Sequence, residues 1–139
     1  QFLAKLHAAD VRGVHPEIGR LEESSAVTAL SYLKDKLLTL RQPSPSFKLA
    51  LRWLATHLPP KPRQIAFLHG DFRTENIAVD QEGLVAAFDW ELAHIGYPME
   101  DLAHLCVRSW RFFNDTLEVG GFGSPASLLA RYETAGGDL

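Results

Sequence analysis

Apolar residues recur at steps of three and four along most of the chain, a spacing that predicts helices with one apolar face. The longest such stripe consists of Val27, Leu30, Leu33, Leu37 and Leu40. A serine side chain can accept hydrogen bonds from the free backbone N–H groups at the start of a helix, and proline interrupts helical hydrogen bonding. These two residue types therefore set the predicted starts and ends of the helices. The predicted helices are residues 2–9, a segment from Ser24 or Ser25 to just before Pro43, Pro45 to Leu58, Met99 to Phe113, and Pro125 to Thr134.

Between residues 65 and 88 the apolar residues form short runs, which predict strands. The runs are Ile65 to Leu68, Asn76 to Val79 and Leu84 to Phe88. The last two are separated by Asp80-Gln81-Glu82-Gly83, which suits a tight turn, so they are predicted to form an antiparallel hairpin. Loops are predicted over 11–23 and 114–123. The pattern therefore indicates an α+β fold that is mainly helical, with one small antiparallel β-hairpin.

Polar residues of particular types lie at the ends of the predicted strands. His69-Gly70-Asp71 follows the first strand, Asn76 lies five residues after Asp71, and Asp89 follows the third strand. Phosphoryl transfer needs a base for the acceptor hydroxyl and magnesium to neutralise the phosphates. Magnesium binds carboxylate and amide oxygens. The stretch is therefore interpreted as the base and metal part of a phosphoryl-transfer site.

Composition narrows the classes of function. The chain has 139 residues, of which 46% are hydrophobic and 22% charged, as expected for one soluble globular domain. A net charge of −3 and the lack of a basic stretch argue against nucleic acid or a membrane surface as a partner. No apolar run approaches the ~18 residues of a membrane span. The single cysteine, Cys106, is predicted to be a buried core thiol, and the predicted location is the reducing cytoplasm.

Two ordered motifs carry a resemblance to a known family. HGDFRTENIAV, followed by AAFDWELAHIGYPMEDLA, resembles the aminoglycoside phosphotransferase and choline kinase superfamily, in which H-G-D-x-x-x-x-N stands in place of the protein-kinase catalytic loop. The specific part of the resemblance covers about residues 68–103. It is most similar to the broad branch of small-molecule phosphotransferases that includes domains beside acyl-CoA dehydrogenases. The resemblance implies the C-terminal lobe of a protein-kinase-like fold, with the hairpin carrying the catalytic motifs.

The resemblance also implies roles for single residues. Asp71 matches the catalytic base, and Asn76 and Asp89 match the Mg²⁺ ligands through which the ATP phosphates are bound. Arg73 lies where protein-serine kinases often have a lysine near the transferred phosphate, so it is expected to stabilise charge there. A solvated or salt-bridged Arg73 is an equal alternative.

Three further positions are assigned through the same resemblance. His69 matches a structural histidine, and Asp101 matches a structural aspartate that braces the catalytic loop. Glu91 stands where the glycine of D-F-G would be, and it either assists the metal or binds backbone amides.

A kinase also needs a glycine-rich loop and a strand lysine paired with a helix glutamate. Neither occurs in these 139 residues. Residues 1–139 are therefore expected to be a single catalytic lobe, a fragment whose nucleotide-binding N-lobe precedes Gln1, and to be inactive alone. The expected partners are that N-lobe and a small hydroxylated substrate, which includes a hydroxylated metabolite or a hydroxyacyl thioester.

Two other functions remain as alternatives. One is a catalytically inactive kinase-like module used for binding or regulation. The other is a metal-dependent hydrolase built on His69, Asp71, Asp89 and His94, although such sites usually use more histidines. His94 and His104 are predicted to be packing or surface residues, and the tryptophans to be core residues or cleft walls.

Overall fold

Helices and short strand pairs make up the described part of the chain. The computed structural model describes residues 1–11, 26–40, 44–60 and 64–139. The elements are helices α1 (Phe2–His7), α2 (Ala26–Leu38), α3 (Pro45–Thr56), α4 (Pro98–Leu105) and α5 (Pro125–Thr134), strands β1 (Ala66–Leu68), β2 (Ile77–Asp80), β3 (Gly83–Ala87) and β4 (His94–Gly96), and 3₁₀ turns at Thr74–Asn76, Trp90–Leu92 and Arg108–Trp110. The α+β class predicted from the sequence is confirmed. The chain divides into two compact units, Glu22–Arg63 and the remainder.

The smaller unit contains α2 and α3. Ser44 accepts the backbone N–H of Ser46 and so caps α3 at its predicted start. The helix ends at Thr56 rather than at Leu58. The Thr56 hydroxyl donates to the carbonyl oxygen of Trp53, so a side chain takes the place of the next helical amide. The predicted caps Ser24 and Ser25, the stop at Pro43 and most of the predicted loop over 11–23 lie outside the described residues.

The larger unit contains two antiparallel strand pairs among its described residues. β2 and β3 form the predicted hairpin, and the carboxylate of Asp80 accepts the backbone N–H groups of Glu82 and Gly83 in its turn. β1 pairs with β4, which the sequence did not predict. β4 has three residues, of which Ile95 is the only large apolar one, so its strand geometry depends on pairing with β1 rather than on local preference.

Helix α4 is shorter than predicted, because it ends at Leu105 and not at Phe113. Its last carbonyl oxygens have tertiary partners instead of helical ones. The backbone N–H of Gly120 donates to Leu105 O at 2.9 Å, and the Arg111 guanidinium donates to Cys106 O at 3.0 Å. These bonds satisfy the helix end, and residues 108–110 then form a 3₁₀ turn.

The core of the larger unit joins five segments. Its buried members come from α1, the loop after β1, α4, the loop before α5, and α5; they are Leu3, Ala4, Phe72, Leu102, Leu105, Val119 and Tyr132. Cys106 packs against this cluster but is only partly buried, and burial raises the pKa of its thiol. Ser124 caps α5 at the predicted position by accepting the N–H of Ser127. No helix in the described ranges has the length and apolar character that a bilayer span requires.

Candidate active site

Asp101, in the first turn of α4, holds the loop that follows β1. Its side chain is fully buried and accepts the backbone N–H of His69 at 2.8 Å and that of Gly70 at 2.9 Å. Gly70 has φ +82, and a Cβ there would lie 2.1 Å from the carbonyl oxygen of Leu92. Glycine at this position therefore lets the loop pass close to the 3₁₀ turn at 90–92 and still present both amides to Asp101.

A buried polar network extends from Asp101 to the two ends of the larger unit. His7 Nε2 lies 3.2 Å from Asp101 Oδ2, and His7 Nδ1 lies 2.8 Å from the hydroxyl oxygen of Tyr132. Burial raises the pKa of Asp101, but the hydrogen bonds from His7 and from the amides of His69 and Gly70 outweigh it and hold that pKa below its usual value. The sequence did not reveal this network, because its members are 94 and 125 residues apart.

Asp71 and Asn76 are brought into direct contact. The side-chain amide of Asn76 donates to Asp71 Oδ2 and to the Asp71 backbone carbonyl oxygen, both at 2.9 Å. Arg73 Nε donates to the same Oδ2 at 3.0 Å. Two donors therefore occupy one oxygen of the Asp71 carboxylate, and Oδ1 is left for other partners.

Arg73 is salt-bridged in this structure. Besides Asp71, its guanidinium contacts the carboxylate of Glu75, and it lies over the ring of Trp110 at 4.5 Å from the ring centre. The salt-bridged alternative considered for Arg73 therefore describes its contacts here. A guanidinium this close to Asp71 also adds positive charge at the site.

His69 links the two sequence motifs. Its Nε2 bonds the carbonyl oxygen of Phe88 at 2.8 Å, and its Nδ1 accepts the backbone N–H of Asp71 at 3.3 Å. Because the carbonyl can only accept, these partners place the ring proton on Nε2. The backbone N–H of Phe88 donates to Asn76 O at 2.8 Å. Because Asp89 is the next residue after Phe88, this bond places Asp89 beside Asn76 in the hairpin.

Asp89 has a left-handed backbone, with φ 64 and ψ 62, and an exposed side chain. Its carboxylate makes no hydrogen bond or ion pair with the described part of the chain. The amide nitrogen of Asn76 is engaged by Asp71, so the amide oxygen is the Asn76 atom left for a ligand. Asn76 and Asp89 thus offer the hard oxygens that magnesium binds.

Glu91 and His94 do not complete a larger metal cluster. Glu91 lies exposed in the 3₁₀ turn at 90–92, and the His94 ring bonds Leu92 O and the Glu100 carboxylate. Within the described ranges, no group of three or more histidine, cysteine, aspartate and glutamate side chains could hold a metal. The set proposed for a hydrolase is therefore not assembled.

The structure adds His104 and Trp110 to the site. His104 Nε2 lies 2.9 Å from Asp71 Oδ1, an ion-pair distance whose angle falls outside that of a hydrogen bond. The His104 ring stacks on Trp110, with ring centres 6.0 Å apart and planes 15° apart. His104 lies three residues after Asp101 and hence on the same helix face, which is the signal that could have identified it.

The chain resembles one protein family over almost its whole length. The model of the APH family, described as the phosphotransferase enzyme family, matches residues 1–137. Acyl-CoA dehydrogenase family member 11 of Gallus gallus is 31% identical over 127 residues, which are 89% of this chain and 16% of that protein. Probable acyl-CoA dehydrogenase IBR3 of Arabidopsis thaliana is 29% identical over 117 residues, which are 76% of this chain and 14% of that protein. The chain therefore spans about a sixth of these relatives.

Solved structures support the fold. Macrolide 2'-phosphotransferase type I superposes with a TM-score of 0.67 at 25% identity, over 99% of this chain and 42% of that chain. Macrolide 2'-phosphotransferase MphH from Brachybacterium faecium gives a TM-score of 0.64 at 21% identity, over 99% of this chain and 43% of that chain. Both likenesses extend over nearly the whole chain, so the protein-kinase-like C-terminal lobe predicted from the motifs is confirmed.

Proposed function

The chain belongs to the phosphotransferase enzyme family, and from this premise we propose that it is the catalytic lobe of an ATP- and Mg²⁺-dependent small-molecule kinase. The acceptor in this proposal is a hydroxyl group. The observation that carries the proposal is the Asp71 carboxylate, held at Oδ2 by Arg73 and Asn76 while Oδ1 has no such pair of donors. This arrangement suits a base that has one oxygen available for an incoming proton.

In the proposed reaction the acceptor oxygen attacks the γ-phosphorus of ATP. A new P–O bond forms, the bond from the γ-phosphorus to the β–γ bridging oxygen breaks, and ADP leaves. The acceptor proton passes to Asp71 Oδ1. Asp71 thereby orients the hydroxyl for in-line attack and removes its proton, which is what this class of reaction requires from a protein side chain.

The metal and charge assignments follow from the atoms left unpaired. Asn76, through its amide oxygen, and Asp89, through its carboxylate, would hold Mg²⁺, which when bound neutralises charge on the phosphates. Arg73 keeps Asp71 oriented and contributes positive charge beside it. Glu91 is proposed only as a peripheral acidic group, since it lies exposed outside any cluster of possible metal ligands in the described residues.

The remaining parts of the enzyme are proposed to lie in a longer protein. The chain spans 42% of the macrolide phosphotransferase that it resembles, so we propose that further contacts to the nucleotide come from an N-lobe outside residues 1–139. We also propose that the reaction takes place in the cytoplasm, where ATP is supplied and Cys106 stays reduced.

The proposal is tested with the full-length protein, Mg²⁺-ATP and a panel of hydroxyl acceptors. The panel consists of erythromycin, kanamycin, choline and 3-hydroxybutyryl-CoA, and products are identified by mass spectrometry. We expect a phosphorylated product from at least one acceptor and its loss when EDTA replaces Mg²⁺. Stabilisation of the protein by Mg²⁺-ATP with neither phosphorylated product nor ADP would instead favour the inactive binding module.

A further inference from the structure

We propose that His104 is a positioning residue that keeps Asp71 Oδ1 available to the acceptor, an inference that rests on the proposed phosphoryl transfer. Its Nε2 approaches Oδ1 at 2.9 Å, on the opposite side of the carboxylate from the oxygen that Arg73 and Asn76 occupy. A carboxylate oxygen has two lone pairs, so Oδ1 can face His104 and still accept a proton from a hydroxyl.

The need for such a residue arises from Arg73. A guanidinium readily forms two parallel hydrogen bonds to one carboxylate, and a bidentate pair would occupy both oxygens of Asp71. In the structure the Arg73 pairing is single, through Nε, while Nη1 contacts Glu75. His104 occupies the Oδ1 side of the carboxylate and so prevents the second Arg73–Asp71 bond.

His104 is itself held in place from two directions. Its helix is fixed by the buried side chains of Leu102 and Leu105. Asp101 on the same helix also accepts the backbone N–H of His69 in the loop that follows β1, residues 69–76, which is the proposed catalytic loop. The His104 ring lies against Trp110, and the same indole also contacts the Arg73 guanidinium.

The catalytic loop also holds the turn that carries Trp110. The Thr74 hydroxyl lies 3.3 Å from Trp110 O and 3.1 Å from Gly120 O, the two carbonyl oxygens available to it. The contacts around the Asp71 carboxylate therefore run from Asp71 through Arg73, Trp110 and His104 and back to Asp71. Among these contacts, His104 places its Nε2 2.9 Å from Oδ1.

Three substitutions of His104 distinguish the effect of its Nε2 atom from the effect of its ring packing against Trp110. His104→Phe keeps a ring against Trp110 and removes both nitrogens. His104→Gln places an amide N–H near the position of Nε2. His104→Glu has the same size as the glutamine variant but offers no donor and repels Asp71. His57→Phe is the matched control, because His57 also stacks on a tryptophan, Trp53, but is exposed and lies in the smaller compact unit.

The experiment measures kcat and KM of the full-length variants with Mg²⁺-ATP, using the panel acceptor that is phosphorylated fastest and also water as the acceptor. For His104→Phe we expect kcat to fall about 10- to 100-fold, because the polar contact to the charged Oδ1 is lost, with the KM for ATP within about threefold of wild type. His104→Gln should restore kcat to within about threefold, and His104→Glu should be at least about tenfold slower than His104→Gln. His57→Phe should match wild type.

Thermal unfolding of each variant accompanies the kinetics. If His104→Phe unfolds below the assay temperature, the comparison of the glutamine and glutamate variants decides the question. Wild-type kcat in His104→Phe, or equal kcat in His104→Gln and His104→Glu, would overturn the inference and leave the proposed function intact. A wild-type protein that transfers phosphate to no acceptor, water included, would overturn the proposed function and this inference with it.

Discussion

The side-chain amide of Asn76 donates two hydrogen bonds to Asp71, one to the carboxylate and one to the backbone carbonyl oxygen. The five-residue step between them therefore closes a loop in which one residue fixes both the backbone and the side chain of the other. Because the Asn76 amide nitrogen makes both of these bonds, the amide oxygen is the atom left for a ligand. A single side chain thus links the proposed base to the proposed metal site.

Asn76→Asp should disrupt this loop at almost unchanged size. The new carboxylate cannot donate to Asp71 and, at a position only 6% exposed, it repels the Asp71 carboxylate. We expect stability to fall by about 2 kcal/mol and phosphoryl transfer to fall at least about tenfold. Urea unfolding and initial rates measure the two effects. Asn114→Asp, in an exposed loop, is the control, and a stable, active Asn76→Asp protein would contradict the account.

Asp101 should make the fold sensitive to acid. Its pKa is lowered in the folded state, so the stabilisation is present above the pKa of the unfolded chain, about 3.9, and is lost as pH falls through the folded pKa. Asp101→Asn should cost about 3 kcal/mol near neutral pH, because it leaves two amides and His7 with a poorer partner. The cost should shrink below about pH 4. Chemical unfolding at a series of pH values measures it.

Asp115→Asn is the matched control for that experiment. Asp115 also has a lowered pKa, caused by its hydrogen bond with Arg108, but the pair is exposed. Its loss should therefore change stability much less than the loss of Asp101. Equal and pH-independent effects of the two substitutions would show that Asp101 does not brace the loop.

Gly70→Ala should disturb the catalytic loop far more than Gly83→Ala. Both glycines have positive φ, +82 and +127, so both substitutions introduce backbone strain. Only at position 70 would the added Cβ meet a backbone oxygen, Leu92 O at 2.1 Å, whereas nothing lies within 4 Å at position 83. We expect Gly70→Ala to be less stable than Gly83→Ala by about 2 kcal/mol or more in thermal unfolding. Equal unfolding midpoints would refute the close approach.

Tyr132→Phe should weaken the buried network at its far end. The hydroxyl of Tyr132 is the partner of His7 Nδ1, and both residues are almost fully buried. Removing it should cost about 1–3 kcal/mol, because the imidazole nitrogen is left unpaired. Tyr97→Phe is the control, since the Tyr97 hydroxyl has no hydrogen bond within the described residues. Comparable unfolding free energies for the two variants would argue against the network.

Local features of the site could be predicted from the sequence. The hairpin follows from two apolar runs and a turn in which the Asp80 carboxylate accepts the backbone N–H groups two and three residues later. The contact between Asp71 and Asn76 spans only five residues. The start of α5 was predictable because Ser124 and Pro125 act within one turn. In each case the interaction that fixes the structure lies within a few residues of the signal.

Distant contacts set the features that sequence patterns could not predict. Helix α4 ends early because Gly120 and Arg111 take its last carbonyl oxygens, and both belong to a later loop. The apolar spacing of 99–113 continues past that point, so periodicity overestimates the helix. The approach of His104 to Asp71 depends likewise on how α4 packs against the catalytic loop.

The measurement that tests the central claim most directly compares Asp71→Asn with Asp80→Asn in the full-length protein. Both substitutions replace one carboxylate with an amide of the same size, but Asp80 lies in the exposed hairpin turn, where an amide oxygen can still accept from Glu82 and Gly83. We expect Asp71→Asn to lower kcat for ATP-dependent phosphorylation by about 10²- to 10⁴-fold with unchanged thermal stability, and Asp80→Asn to retain the wild-type rate. Wild-type phosphorylation by a folded Asp71→Asn protein would contradict the assignment of Asp71 as the base.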